Sequence, residues 1–494
     1  MSSSSERLLL PQSGTRCRVE NTGLVIIDQS LLNPAHSSSY ACFPSGASGP
    51  TSRTILFEDI LWCEQLHETT YAVTYATPIG TNIDTMTFTA TIDDVPTAYT
   101  PTQSQDLSAH ILQRAYGTSI VKPSVLVLIN PHGGQGKAKS IYTHRIQPVL
   151  EAAKADITVI ETLYSKHAMD VARELDIDKY DIIACCSGDG IPHEVINGFY
   201  QRPDKGAAAF NKLVVTQLPC GSGNALTLST HGSNRAAVAT FRMLKSEKTQ
   251  MDLMALTQLD DDGHEQTSLS FLSQCYGAIS DSDIGTEHLR WMGPIRFDLG
   301  VVQRTLSRAV YPCEVYVKYL TTTKDELVSY FNQCVGQAKE THVITKETLD
   351  IKGPKLTESP PSDWIQVDQS LTDNLSIFYV GNMPMVSSNT QFFPAALPND
   401  GSMDMIITDA RTSLPKALRA LLAIEKGTHV DELFVSHHKV TSYRLVPKLP
   451  ENSKHYLSVD GEDFPFRAFQ VEVLPSVLTT LTSDGNYVPT SFRN

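Results

Sequence analysis

A chain of 494 residues, 41% hydrophobic and 19% charged, has the length for two or three domains and enough apolar material for cores without metal or disulfide staples. Its formal net charge of −14 argues against a general nucleic-acid binder and leaves membrane contact to a local patch. Nine scattered cysteines without a CxxC pair, no charged-then-apolar leader, and no uncharged run near the ~18 residues of a membrane span predict a reducing, cytoplasmic setting without a transmembrane anchor.

Residues 1–105 are read as an accessory module. Its first half is serine-rich, with one strand-like run at Leu24–Ile27. Thr54–Phe57, Ile60–Cys63, Tyr71–Tyr75 and Thr85–Thr89 then alternate with a period near two, which predicts a small antiparallel β module. Residues 106–116 read as a capped helix ending at Gly117 and open a second domain, 106–250. Val125–Ile129 is an unbroken apolar strand of the kind buried on both faces in a parallel sheet. It ends in Asn130-Pro131-His132-Gly133-Gly134, and a helical pattern runs from Ile141 to Leu150. The spacing is neither Gly-x4-Gly-Lys-Ser/Thr nor Gly-x-Gly-x-x-Gly, which excludes both of those nucleotide motifs.

Ile157–Ile160 is the next strand and Ala168–Leu175 the next helix. The apolar run Ile182–Cys186 then breaks at Ser187-Gly188-Asp189-Gly190 and resumes at helical spacing with Glu194, Val195 and Ile196. Leu213–Leu218 ends in Pro219-Cys220-Gly221-Ser222-Gly223-Asn224, and a helix follows. Gly-Asp-Gly alone is equally the chemistry of a turn. Three glycine loops after successive strands are not so easily dismissed. They predict a doubly wound α/β domain with its ligand beyond the strands' carboxyl ends, where backbone N–H groups and helix N-termini favour anions. A carboxylate, Asp189, among such loops points to phosphoryl transfer.

From Met251 the texture becomes β-rich, with strand-like segments at Thr267–Ser273, Glu314–Tyr319, Leu375–Val380, Met403–Thr408, Lys439–Val446 and Phe469–Leu474 and a helix at Leu414–Lys426. Residues 251–494 are therefore expected to form a mostly antiparallel β-sandwich. Residues 321–363 are expected to be a flexible polar insert.

Asn130-Pro-His-Gly-Gly, Ser187-Gly-Asp-Gly and Leu218-Pro-Cys-Gly-Ser-Gly-Asn-Ala-Leu226 resemble the nucleotide-site signatures of the diacylglycerol kinase-like lipid kinases. Ser187, Asn224-Ala-Leu, Ser273-Gln-Cys-Tyr-Gly-Ala-Ile-Ser-Asp-Ser-Asp283 with Arg290-x-x-Gly-x-x-Arg296, and Val459-Asp-Gly-Glu462 give the closer resemblance, to the sphingosine kinases and fungal sphingoid long-chain base kinases. The likeness covers roughly 122–475. It implies an NAD kinase-like and diacylglycerol kinase-like fold, ATP with Mg²⁺, and a sphingoid base as the lipid substrate. By the same resemblance Asn130, Pro131, His132 (where arginine is frequent), Gly133, Gly134, Thr162, Ser187, Gly188, Gly190, Glu194, Gly221, Ser222, Gly223, Arg290, Arg296, Asp460 and Gly461 contact ATP. Asp189 is the base, Ser273 and Asp283 hold the lipid head, and the protein visits membranes peripherally. No metal ligand is assigned.

Phosphorylating an alcohol needs in-line positioning, stabilisation of charge and a proton acceptor, which Asp189 would supply. A carboxylate at Asp283 would pair with the ammonium of an amino alcohol, which ceramide and diacylglycerol lack. Phe271, Leu272, Leu299, Val302, Leu306 and Phe393 are the candidates for sheathing the tail. Plainer readings stand beside these. Arg290 and Arg296 are also ordinary surface arginines, Asp283 a turn residue, His167 and His193 structural histidines, and Val302, Leu306 and Val310 a core stripe. Lys137 and Lys139 read equally as a solvated helix face or a small lipid-facing patch. A ceramide or diacylglycerol kinase, a non-catalytic lipid-binding scaffold and an NAD kinase are the rivals. In an NAD kinase the Ser273/Asp283 and Arg290/Arg296 motifs would have no task.

Overall fold

A computed structural model describes residues 15–26, 53–94, 106–286, 295–335, 337, 341–450 and 454–493. The chain forms two compact units, one of residues 1–123, 143–156 and 240–246, the other of 124–142, 157–239 and 247–494.

In the first unit β1 (Arg16–Val19), β2 (Gly23–Ile26), β3 (Arg53–Leu56), β4 (Ile60–His67), β5 (Thr70–Ile79) and β6 (Asn82–Asp94) make one sheet in the order β3-β2-β1-β6-β5-β4. The hairpins are antiparallel, as alternation predicts. However, β1 pairs with β6 in parallel, Cys17 opposite Ile92, so the module is mixed rather than wholly antiparallel. The helix α1 (Leu107–Tyr116) is capped by Asp106, whose side chain accepts from Ser108 N. It buries Leu107, Ile111, Leu112, Ala115 and Tyr116 with Cys17, Ile60, Val73 and Phe88 of the sheet. That shared core moves the boundary expected at 105 to 123. Lys245 returns to this unit, its ammonium bound to the carbonyls of Ile60 and Ala115 and lying 3.8 Å from the centre of the Tyr116 ring. Burial pulls its pKa down to about 7.

The chain continues through β7 (Ser124–Ile129), α2 (Gly133–Gly136), α3 (Ala138–Ile141), a π turn at Tyr142–Ile146 and α4 (Gln147–Ala152). One helix was expected across 141–150. Pro148 interrupts it, because it offers no N–H and its ring crowds the carbonyl four residues back. Next come β8 (Asp156–Glu161), α5 (His167–Glu174), β9 (Ile182–Ser187), α6 (Gly190–Tyr200), α7 (Ala207–Lys212), β10 (Val214–Pro219), α8 (Ala225–His231) and α9 (Ala236–Leu244). The sheet order is β10-β9-β7-β8, with β9 in parallel register between β7 and β10. Every residue of β9 and β10 is buried, as the apolar runs predict.

The remainder holds β11 (Glu247–Leu259), β12 (Glu265–Ser270), β13 (Ser273–Gly277), α10 (Ala278–Asp283), α11 (Ile295–Leu306), β14 (Cys313–Tyr319), α12 (Lys324–Cys334), β15 (Ile365–Gln366) and α13 (Gln369–Thr372). It ends with β16 (Leu375–Gly381), β17 (Met403–Asp409), α14 (Leu414–Ala423), β18 (Val435–Pro447), β19 (Leu457–Val459), β20 (Glu462–Phe464) and β21 (Phe469–Thr482). The strands form one continuous antiparallel network, β12-β11-β21-β18-β17-β16-β13-β19-β20, with β14 on β18 and β15 on β14. Tyr276, Phe378, Met405, Tyr443 and Val471 lie in its core.

The described residues of the insert expected to be flexible, 321–363, are organised. Thr323 and Glu326 form a reciprocal capping box on α12, which buries Leu327 and Phe331 with Ala395 and Leu397. Beyond it, Ile344 and Leu349 enter the core beside the α/β strands. Four apolar anchors thus hold a stretch whose overall composition is polar. Among the described residues no helix is long and apolar enough to cross a membrane.

Candidate active site

The three glycine loops leave the same end of the parallel sheet, since β7, β9 and β10 run in register. After β7, Asn130 folds the chain back. Its Oδ1 accepts from His132 N at 3.0 Å and its carbonyl from Gly133 N at 2.9 Å, leaving His132 exposed and Gly133 and Gly134 opening α2. Pro131 between them is half-buried. Thr162, buried, donates its N–H to Ile129 O at 2.8 Å and so lies beside that loop.

The second and third loops touch backbone to backbone. A Cβ on Gly221 would fall 2.2 Å from Gly188 Cα, which leaves no room for a side chain at Gly221. Asn224 (φ 61°) braces the third loop, its Oδ1 accepting from Gly221 N and its Nδ2 donating to Gly221 O, so that Ser222 and Gly223 arch between. The buried Ser187 donates to Gly188 O at 2.6 Å.

Asp189 sits where these loops meet. Its Oδ1 accepts from Gln217 Nε2 at 3.1 Å and from Ala225 N at 2.8 Å, while a Cβ on Gly223 would lie 2.3 Å from Oδ2. Burial raises its pKa to about 6, against the hydrogen bonds from Gln217 and Ala225 and with help from the Asp460 charge. Gln217 is a missed functional residue. It lies fully buried in β10, where its only sequence signal is an amide inside an apolar strand. Glu462 flanks the same loop, its Oε1 lying 2.7 Å from where a Gly190 Cβ would stand.

Three of the expected nucleotide contacts, Glu194, Asp460 and Gly461, also have tasks within the fold. The Glu194 carboxylate accepts from Lys166 N and Ala168 N, both at 3.0 Å, and so caps α5 and fixes the 163–167 loop, in which Leu163 N also donates to His167 Nδ1. Asp460 and Gly461, at φ 53° and 84°, are the two-residue turn joining β19 to β20. The Asp460 carboxylate is fully engaged by internal donors. Oδ1 accepts from Ser270 Oγ, Leu272 N and Ser273 N, and Oδ2 from Phe271 N and His193 Nδ1 at 2.8 Å. Burial depresses the His193 pKa, but the hydrogen bond and charge of Asp460, with Glu462 and Glu194, carry it above the usual value. His193 therefore ties α6 to the start of β13, a structural part. Asn197 adds a second tie, exchanging hydrogen bonds with the Leu269 backbone.

In the β-rich part Asp283 ends α10 instead of occupying a turn, and accepts from Ser458 Oγ at 3.0 Å. Asp281, overlooked in the sequence, is buried beside it and accepts from Tyr311 Oη, His455 Nδ1 and Tyr456 N. Ser273 Oγ donates to Tyr379 Oη at 3.3 Å. Near these groups a small solvent-connected apolar cavity of about 50 Å³ is lined by Ile377, Phe392, Ile406, Ala420, Leu421 and Phe434. None of the residues expected to sheath the tail lines it. Phe271, Leu272 and Phe393 are packed in cores, whereas Leu299, Val302 and Leu306 are exposed on α11. Val310 is exposed as well, so the stripe read as core is not core. Arg290 lies outside the described residues, as does the side chain of Arg296, whose backbone belongs to α11.

Family comparisons agree with this geometry. The diacylglycerol kinase catalytic domain model matches residues 124–256, and the YegS C-terminal NAD kinase beta sandwich-like domain model matches 359–482. Sphingoid long chain base kinase 5 of Saccharomyces cerevisiae is 42% identical over 79% of this chain, which spans 64% of that relative's length. Sphingoid long chain base kinase 4 of Schizosaccharomyces pombe is 29% identical over 94% of this chain and 95% of its own. Sphingosine kinase 1 of Mus musculus is 30% identical over 72% of this chain and 90% of its own. With the glycine loops, the Asp189 carboxylate and the β-rich domain assembled as above, the chain belongs to the sphingosine kinase family of diacylglycerol kinase-like lipid kinases.

Proposed function

We propose that the protein transfers the γ-phosphoryl group of ATP to the primary hydroxyl of a sphingoid base, giving the 1-phosphate and ADP. The observation that carries this reading is the placement of Asp189. It is a carboxylate of raised pKa, held by Gln217 and the Ala225 N–H among three glycine loops, in the same unit as the Ser273–Asp283 cluster. The Asn130–Gly134, Ser187–Gly190 and Gly221–Gly223 loops bring backbone N–H groups to the phosphates. Asp189 takes the hydroxyl proton as the new P–O bond forms and the bond to the ADP oxygen breaks. Asp283 and Ser273 hold the amino alcohol head.

Arg290 and Arg296 are assigned to the phosphates by their motif alone. Mg²⁺ is the expected partner of ATP, and the carboxylate beside Gly190, Glu462, has the hard-oxygen chemistry to hold it. When bound, the ion neutralises charge on the β- and γ-phosphates. Transient docking on a cytoplasmic membrane surface, from which substrate is drawn, would use exposed leucines such as Leu299 and Leu306 of α11.

Transfer of labelled phosphate from Mg-ATP to sphingosine, dihydrosphingosine, phytosphingosine, ceramide and diacylglycerol tests the reading. Only the free bases are expected to be labelled, and Asp189→Asn should lower kcat by roughly 10²–10⁴-fold. Labelling of ceramide or diacylglycerol would move the activity to a neighbouring lipid class. Nucleotide binding without any lipid product would favour a scaffold.

A further inference from the structure

One polar group of the β-rich region has no part in the reaction described above. Cys275 of β13 pairs with Tyr379 of β16 on one side and Ser458 of β19 on the other. Cross-strand partners and i,i+2 neighbours share a face, so Ser273, Cys275, Tyr379 and Ser458 point the same way, toward Asp283. Ile377, two residues along β16 from Tyr379, shares that face and lines the apolar cavity. Tyr379 therefore stands at the border between the polar head cluster and the apolar side of the site.

Its ring is fixed against Phe392 and Phe393, with centroids 4.6 and 4.9 Å away, and the residue is only 7% exposed. Ser273 Oγ donates to the phenolic oxygen, which leaves the phenol's own hydrogen without an acceptor among the described residues. Burial first, then neighbouring Cys275, Asp283 and Asp189, push its pKa well above the ordinary value, so the group remains a donor. A buried donor in this state is unfavourable until something accepts from it.

We propose that Tyr379 is a specificity-determining residue, donating a hydrogen bond to the lipid's 4-hydroxyl, one carbon beyond the 3-hydroxyl that both bases carry. The site thereby favours the 4-hydroxylated base, phytosphingosine, over dihydrosphingosine. This rests on the sphingoid base reading. A buried polar group built to meet a substrate hydroxyl discriminates against the analogue lacking it far better than an apolar wall does.

The test is kcat/KM for both bases with wild type and Tyr379→Phe, which keeps the ring and its packing. Wild type is expected to favour phytosphingosine by about tenfold or more, and the variant to bring the ratio within about twofold, the loss falling on phytosphingosine. Equal losses for both bases, or an unchanged ratio, would mark Tyr379 as packing only and overturn the assignment. A wild type without preference overturns it with no variant needed. A wild type that labels neither base removes the sphingoid base reading itself, and this assignment with it.

Discussion

Burial pushes the Asp189 pKa up to about 6, so in its proposed role it is largely a carboxylate at neutral pH and yet basic enough to share a proton in the transition state. Burial alone would leave it a weaker acid still. The Gln217 amide and the Ala225 N–H favour the charged form and bring it back to a useful value. The proposed base acts in its deprotonated form. Below pH 6, kcat/KM for a sphingoid base should therefore fall by about tenfold per unit, and above pH 7 it should be level. A pH–rate profile measured at saturating Mg-ATP checks this, and the residual activity of Asp189→Asn should lack the inflection. In the sequence Asp189 was legible because it stood between glycines at a strand end. Gln217 and Tyr379 were not. Each is a polar residue inside an apolar strand, and what it faces is decided by a pairing register set many residues away.

At the level of elements, loop contact is the determining feature. Gly188 and Gly221 meet so closely that any side chain at Gly221 would strike the Gly188 backbone, which has no rotamer to yield. Gly221→Ala should separate the two loops and move Asp189 off its line with the phosphate. A loss of roughly 100-fold in kcat/KM is expected from displacement on the order of an ångström. Steady-state kinetics alongside thermal melting will show whether activity falls before stability does. The three strand–loop–helix units could be read from the sequence because buried parallel strands are continuous apolar runs with glycine at their ends. The α12 helix was missed although Thr323 and Glu326 carry a capping-box signature, since composition over 321–363 outweighed that local signal. The parallel pairing of β1 with β6 left no trace in local alternation, which does not depend on the direction of the neighbouring strand.

The β-rich part of the molecule encloses a buried charge cluster. Lys439, with no solvent exposure, donates to Asp400 and Asp404 at 2.8 Å each, and Asp404 also accepts from His437 at 2.6 Å. Burial would raise the Asp404 pKa, but the charge of Lys439 and its partners hold it below the usual carboxylate range. Its contribution to stability is therefore present above that range and is lost as the pH falls through the lowered pKa. Lys439→Met would leave the carboxylates buried without their counter-charge, at an expected cost of about 3–5 kcal/mol. Urea denaturation at pH 7 checks the size. Repeating it in acid should narrow the gap between wild type and variant, as Asp404 becomes neutral in both.

Asp460 has a consequence for anyone recombining these enzymes. Its carboxylate holds β12–β13 backbone and His193, which means that it joins a residue of the catalytic-domain match to one of the C-terminal match. A chimaera spliced between 256 and 359 would inherit His193 and Asp460 from different parents, although neither lies near the junction. Segments 190–197, 269–273 and 457–464 are thus a single unit of inheritance, scattered along the gene but exchanged successfully only together.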